Sequence, residues 1–213
     1  MKRGIVCLLA LLCYAAARVP SRDERHLIME AHRSVREGVS PSASNMKMMK
    51  YSKKLEKQAE KSLTECVFKD YVVTAFSNNV TQNLRVYVDM EPSFTEMIYL
   101  YGKDAQFYNL ENNTCTGFCT NYKRIVWANS TRVGCAMHKC GAFGTRLQHP
   151  VFTVVCQYNV TEEIKDQRPY EEGLSCSKCP PGYKCRHRQC VEMRETGTDM
   201  STIAQETTTD FYL

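Results

Sequence analysis

Residues 115–127 read C-T-G-F-C-T-N-Y-K-R-I-V-W. Cys115 and Cys119 stand four apart, and an apolar, aromatic-rich run leads from the second to Trp127, the only tryptophan. β-branched and aromatic residues crowd positions 122–127, which predicts a short core strand. Runs of the same kind at 132–138 and 151–158 are expected to lie beside it in a compact antiparallel sheet.

Helical signals come earlier in the chain. At 26–37, Leu27, Ala31 and Val35 recur every four residues, the spacing of one helix face. Positions 41–45 are turn-like and hold good capping residues. A second helix is expected from Met48 to about Phe68, with Leu55, Ala59, Leu63 and Cys66 on its buried stripe and lysines and glutamates opposite. A third follows Pro92 over 93–107. Helices before and between the strands of a sheet predict an α+β sandwich. No internal repeat is visible.

The two ends carry export signals and a disulfide framework. Residues 1–17 read as a signal peptide: Lys2 and Arg3, an apolar run from Ile5 to Tyr14, then Ala15-Ala16-Ala17. That run is too short to span a bilayer, and no later one approaches about 18 apolar residues. Removing Cys7 and Cys13 with it leaves ten of the twelve cysteines, an even number that implies disulfides in an exported chain. Four N-x-S/T sequons, at Asn79, Asn112, Asn129 and Asn159, agree with that route. The formal charge of +5 falls to about +2 or +3 without the signal, too little to argue for nucleic acid. The expected division is a signal peptide at 1–17, a main domain at 23–161, a cysteine-rich segment at 162–192 and a Thr-rich, disordered tail at 193–213. Cys176, Cys179, Cys185 and Cys190 pack a small knot that cannot form its own core. A four-thiolate zinc site is the other reading of that spacing, and an exported chain favours disulfides.

Several motifs, in order, resemble the CAP superfamily of cysteine-rich secretory proteins, venom allergens and plant pathogenesis-related proteins. The opening stretch is similar to C-G-H-Y-T-Q-V-V-W. His32-Arg33-Ser34-Val35-Arg36 with Val39 and Pro41 resembles H-N-x-x-R-x-x-V-x-P, and Thr81-Gln82-Asn83-Leu84 resembles G-E-N-L. W-A-N-S-T-R-V-G-C at 127–135 and F-T-V-V-C-Q-Y at 152–158 match later core segments, and C-S-x-C-P-x-G-x-x-C at 176–185 matches the hinge. The likeness runs from about residue 26 to 190 and is most like the venom-allergen-like proteins of flatworms. It implies a three-layer α-β-α sandwich with a small disulfide-rich C-terminal hinge. It also implies the pairs Cys66–Cys140, Cys115–Cys119, Cys135–Cys156, Cys176–Cys185 and Cys179–Cys190; the sequence by itself leaves three pairings of the last four open.

Many members of that family place two His and two Glu around a cleft, and some hold a divalent metal through the histidines. Here the four places fall on Asp70, Gln82, Lys103 and Asn121. Zinc needs about three or four deprotonated donors. An acid, two amides and an ammonium do not supply them. Neither Gln82 nor Asn121 can titrate, so general acid–base work is not expected there. None of the five histidines completes a visible catalytic set.

The expectation is therefore a secreted, extracellular glycoprotein without enzymatic activity or cofactor. It would act by binding a sterol or fatty acid, or host extracellular proteins at a parasite–host boundary. The resemblance suggests a lipid groove along the third helix at Met97, Leu100, Tyr101 and Phe107, by analogy with lipid-binding relatives. The alternative is a metal-dependent or hydrolytic enzyme that uses the altered cleft.

Overall fold

The computed structural model describes residues 17–63, 80–140, 149–160 and 166–193. Asp70, Cys66, Asn79, most of the signal peptide and the tail beyond Met193 lie outside the described residues. The first helix, α1, spans Arg22–Glu37. It starts in a capping box: the Ser21 hydroxyl accepts the Glu24 N–H at 3.2 Å, and the Glu24 carboxylate accepts the Ser21 N–H at 2.8 Å. Ile28, Ala31, His32 and Arg36 form its buried face. The Arg36 guanidinium donates to five backbone carbonyls, among them Ile125 at 2.7 Å and Trp127 at 2.8 Å. This buried cation ties α1 to the chain around Trp127.

Two short elements follow, the strand β1 (Lys50–Tyr51) and the helix α2 (Lys53–Ser62). The second helix thus starts later than the apolar stripe suggests. Ser52 caps it by accepting the Leu55 N–H, and Met46 and Met49 are buried ahead of it as loop residues. Next come β2 (Val80–Val88) and α3 (Phe94–Lys103), which runs into a 3₁₀ turn at Asp104–Phe107. A two-residue hairpin, β3 (Tyr108–Asn109) and β4 (Thr114–Cys115), leads to α4 (Thr120–Ile125).

That last element corrects the expected strand at 122–127. A strand would turn Tyr122, Arg124 and Val126 to one face and Lys123, Ile125 and Trp127 to the other. The helix instead gathers Tyr122, Ile125 and Val126 on one side at i, i+3, i+4 spacing, and all three are buried. The Cys115–Cys119 disulfide closes the loop immediately before it.

The main sheet is completed by β5 (Arg132–Cys140) and β6 (Val151–Asn159), in the order β1-β5-β6-β2. β6 runs antiparallel to β5 and to β2, and the short β1 joins β5 in parallel. Cys135 and Cys156 stand directly opposite each other and are bridged. Side chains alternate between the two faces. Phe152, Val154, Cys156 and Tyr158 pack into the larger core with α1, α3 and α4. Ala136, Val155 and Leu84 point the other way, beneath Ala59 of α2 and Leu63 at its C-cap. Helices on both faces of one sheet make the α-β-α sandwich.

The C-terminal hairpin, β7 (Tyr183–Arg186) and β8 (Gln189–Glu192), is bridged by Cys176–Cys185 and Cys179–Cys190. It is stitched to the sandwich through backbone bonds: the Cys190 N–H to Met46 C=O at 2.7 Å and the Met48 N–H to Cys190 C=O at 2.9 Å. Cys140 is also disulfide-bonded. Among the described residues no helix is long and apolar enough to cross a membrane.

Candidate functional site

Asn121 lies in the first turn of α4, where the helix faces β2 and the end of β6. Its side-chain oxygen accepts from the Arg124 guanidinium at 2.9 Å, one turn along the same helix. The same guanidinium nitrogen reaches the Asn83 oxygen at 3.3 Å. Asn83 is buried on β2, and its amide nitrogen donates to the Asn121 backbone carbonyl at 3.0 Å and to the Tyr158 hydroxyl at 3.5 Å. Tyr158 then donates to Nε2 of His32 at 3.1 Å, and His32 Nδ1 donates to the Ile28 carbonyl at 2.8 Å. One polar chain therefore connects α1, β6, β2 and α4 through the middle of the core.

The protonation states follow from the partners. A carbonyl only accepts, so the His32 proton sits on Nδ1 and leaves Nε2 to accept from the phenol. Burial holds the His32 pKa at about 4, so the ring is neutral at physiological pH. Burial pushes the Tyr158 phenol far above its ordinary value. Loss of solvent also lowers the Arg124 pKa. At neutral pH the network holds one cation and no titrating acid or base.

The four positions singled out in the sequence are not gathered together among the described residues. Gln82 pairs with Gln157 across β2 and β6, and its side-chain oxygen accepts from Gln157 at 3.4 Å. Alternation puts both on the α2 side of the sheet, opposite to Asn83 and Asn121. Lys103 is exposed at the end of α3. Asp70 lies outside the described residues. The residues that do meet Asn121 are Asn83 and Arg124. The motif C-G-H-Y-T-Q-V-V-W carries the missed signal: aligned to 119–127, its Gln falls on Arg124, a new cation one turn from Asn121.

These residues do not fit a divalent metal. The Asn121 oxygen already serves a guanidinium, amide oxygens are weak ligands for zinc, and a fixed positive charge opposes a second cation. Another group with metal-like spacing is Cys176, Cys179 and Cys190, whose sulfurs lie within 4.8 Å of one another. All three are in disulfides, and oxidised sulfur is not a thiolate ligand.

The residues of the expected lipid groove do not share one open face. Met97 and Tyr101 are core residues, and the Tyr101 hydroxyl donates to the Leu84 carbonyl at 2.8 Å. Leu100 is half-buried, while Phe107 is 39% exposed on the 3₁₀ turn and covers Gly117. A cleft of about 520 Å³ opens elsewhere, between the sandwich and the hinge, lined in part by Leu110, Glu111, Trp127, Tyr170 and Glu172. None of Gln82, Lys103 and Asn121 borders it. Asn112 and Asn129 are exposed, whereas the Asn159 carboxamide bonds the 131–132 backbone and the Thr131 hydroxyl.

The sequence model for "CAP: Cysteine-rich secretory protein family" matches residues 28–158. Bovine (Bos taurus) Peptidase inhibitor 16 is 30% identical over 222 residues, covering 95% of this chain and 45% of the relative. The chain thus spans under half the length of that protein. Human (Homo sapiens) GLIPR1-like protein 1 is 32% identical over 206 residues, covering 89% of this chain and 83% of the relative. Among solved structures, Schistosoma mansoni venom allergen-like protein 4 superposes with a TM-score of 0.56 at 26% identity, over 75% of this chain and 100% of that one.

Proposed function

The chain belongs to the CAP family of cysteine-rich secretory proteins, and from that premise we propose that it is an exported glycoprotein acting by binding an extracellular partner, not by catalysis. The observation that carries this reading is the Arg124–Asn121 bond at 2.9 Å. It puts a buried cation beside the place where metal-binding relatives carry a histidine. With His32 neutral and sealed from solvent, the surrounding groups offer no proton donor or acceptor near pH 7.

The partner in this reading is a protein. Met97 and Tyr101 are committed to the core, which takes away the middle of the suggested lipid groove. Phe118, in contrast, stands 94% exposed on the loop closed by Cys115–Cys119. A rigid, exposed aromatic is an economical anchor for a protein contact. The relatives named peptidase inhibitors would fit such a mode, with a peptidase as one kind of partner. Export rests on the four disulfides described here and on the signal-like residues 1–17.

The test uses the secreted protein in three assays: hydrolysis of ester and peptide substrates with and without added zinc or calcium, inhibition of a peptidase panel, and titration with radiolabelled cholesterol and palmitate. The proposal expects no turnover above a heat-denatured control and no saturable lipid binding. Metal-dependent turnover lost in Asn121→Ala would overturn the non-catalytic reading. Saturable binding of either lipid would replace the protein partner by a lipid one.

A further inference from the structure

A guanidinium taken out of water needs a compensating charge or a full set of acceptors. Arg36 has five carbonyls on its two terminal nitrogens, and its Nε, like that of Arg124, is buried without a partner, so the difference lies in the number of acceptors. Arg124 is 3% exposed and has only two amide oxygens, both on the same terminal nitrogen. Its Nε is buried without a partner. Among the described residues no carboxylate pairs with it.

Arg85 sits two residues beyond Asn83 on β2 and so on the same face of the strand. Its Nε is also buried without a partner, and so is the neighbouring Tyr87 hydroxyl. The Arg85 guanidinium lies over the rings of Tyr87, at 5.6 Å, and Tyr101, at 5.9 Å. Arg124 reaches the Asn83 oxygen at 3.3 Å, and Asn83 is the nearest neighbour of Arg85 along the same strand face, which brings the two cations to one region of β2. Asp104 acts on Arg85 from a distance but forms no ion pair with it.

We infer that Arg124 and Arg85 form a binding site for a small oxyanion, a carboxylate or a phosphate, between β2, α3 and α4. A guanidinium carries forked donors that can grip two oxygens of such a group at once. Tyr87 supplies a hydroxyl donor beside it. The anion would complete the charge balance that the protein leaves open, and the charge preference of this region would be the reverse of a metal site. The inference rests on the proposal that the Asn121 position takes no cation, and the two are read separately, by anion titration here and by zinc retention below.

The experiment titrates the full secreted protein with sodium acetate and with sodium phosphate against sodium chloride of equal ionic strength. Binding is followed by calorimetry and by the thermal midpoint. At least one of the two is expected to bind saturably and raise the midpoint above the chloride control; whichever binds more tightly identifies the anion as carboxylate-like or phosphate-like. Arg124→Gln should weaken that binding by about tenfold or more, because a bidentate charged contact is lost. Arg124→Lys, which keeps charge without the fork, should fall between. Arg85 is only half-buried, so Arg85→Gln tests the site even if the Arg124 variants fail to fold, and it too should weaken binding. Absence of a response to both anions overturns the inference, as does an undiminished response in Arg85→Gln.

Discussion

Replacing His32 by Gln should remove a defined part of the acid sensitivity of the fold. His32 is completely buried on α1, with its two nitrogens committed to Ile28 and Tyr158 and the Arg36 cation nearby. Its pKa is about 4 in the folded protein against an ordinary 6.5. Above pH 6.5 the ring is neutral in both states and contributes no pH dependence. As pH falls below 6.5 the unfolded chain takes up the proton first, so stability drops until the folded pKa is passed. At pH 5 that loss is about 2 kcal/mol, and at the end of the window near pH 4 it approaches about 3 kcal/mol. For a chain of this size about 2 kcal/mol corresponds to a midpoint lower by about 4–8 °C. Urea unfolding at pH 7 and pH 5, on the wild type and on His32→Gln, isolates the effect as a difference of differences. The surface carboxylates titrate equally in both proteins and cancel. The wild type should lose about 2 kcal/mol more than the variant between the two pH values. Equal losses would refute the buried, neutral assignment of His32 and with it the direction of the Tyr158 hydrogen bond.

Two other expectations follow from close contacts. At Gly134 on β5, a Cβ would lie 2.1 Å from the Glu56 backbone nitrogen and 2.5 Å from the Ser52 carbonyl oxygen. Reaching an ordinary 3.4 Å requires α2 to retreat by about 1.3 Å, so Gly134→Ala should destabilise by about 3 kcal/mol, read as a lower thermal midpoint. At Asn159 both ends of the carboxamide are used, and a glycan on its nitrogen would displace the Thr131 hydroxyl held at 3.1 Å. Glycopeptide mapping should therefore find sugar at Asn112 and Asn129 and an unmodified Asn159; a glycan at Asn159 would contradict the clamp.

Much of this architecture was legible in the sequence, and the exceptions have physical reasons. α1 forms where its spacing predicts, but its buried face is Ile28, Ala31, His32 and Arg36, with Leu27 54% exposed. The apolar runs of β5 and β6 coincide with the elements they announce. The run at 122–127 does not, because short apolar segments fit either period and only the surrounding core decides. The strand β2 carries Leu84, Val86 and Val88 at period two, a signal passed over when Thr81–Leu84 is read only for its likeness to G-E-N-L. At the site, matching four family positions one by one leaves out how a sheet distributes neighbours. Gln82 and Asn83 are adjacent in sequence and point to opposite faces, so the motif residue of interest turned out to be the second. Arg124 was visible as a departure from the family motif, but its burial and its hold on Asn121 depend on the helix that the strand reading missed.

Zinc retention distinguishes an Asn121 position filled by Arg124 from a metal site. The secreted protein is incubated with excess zinc, dialysed, and measured for metal alongside Asn121→His and an Arg124→Gln, Asn121→His double variant. A cation-occupied position with too few donors predicts no retained zinc above a chelator-treated control in the wild type or in Asn121→His, and none in the double variant, where one restored histidine still falls short of three donors. Stoichiometric zinc in the wild type would contradict the account.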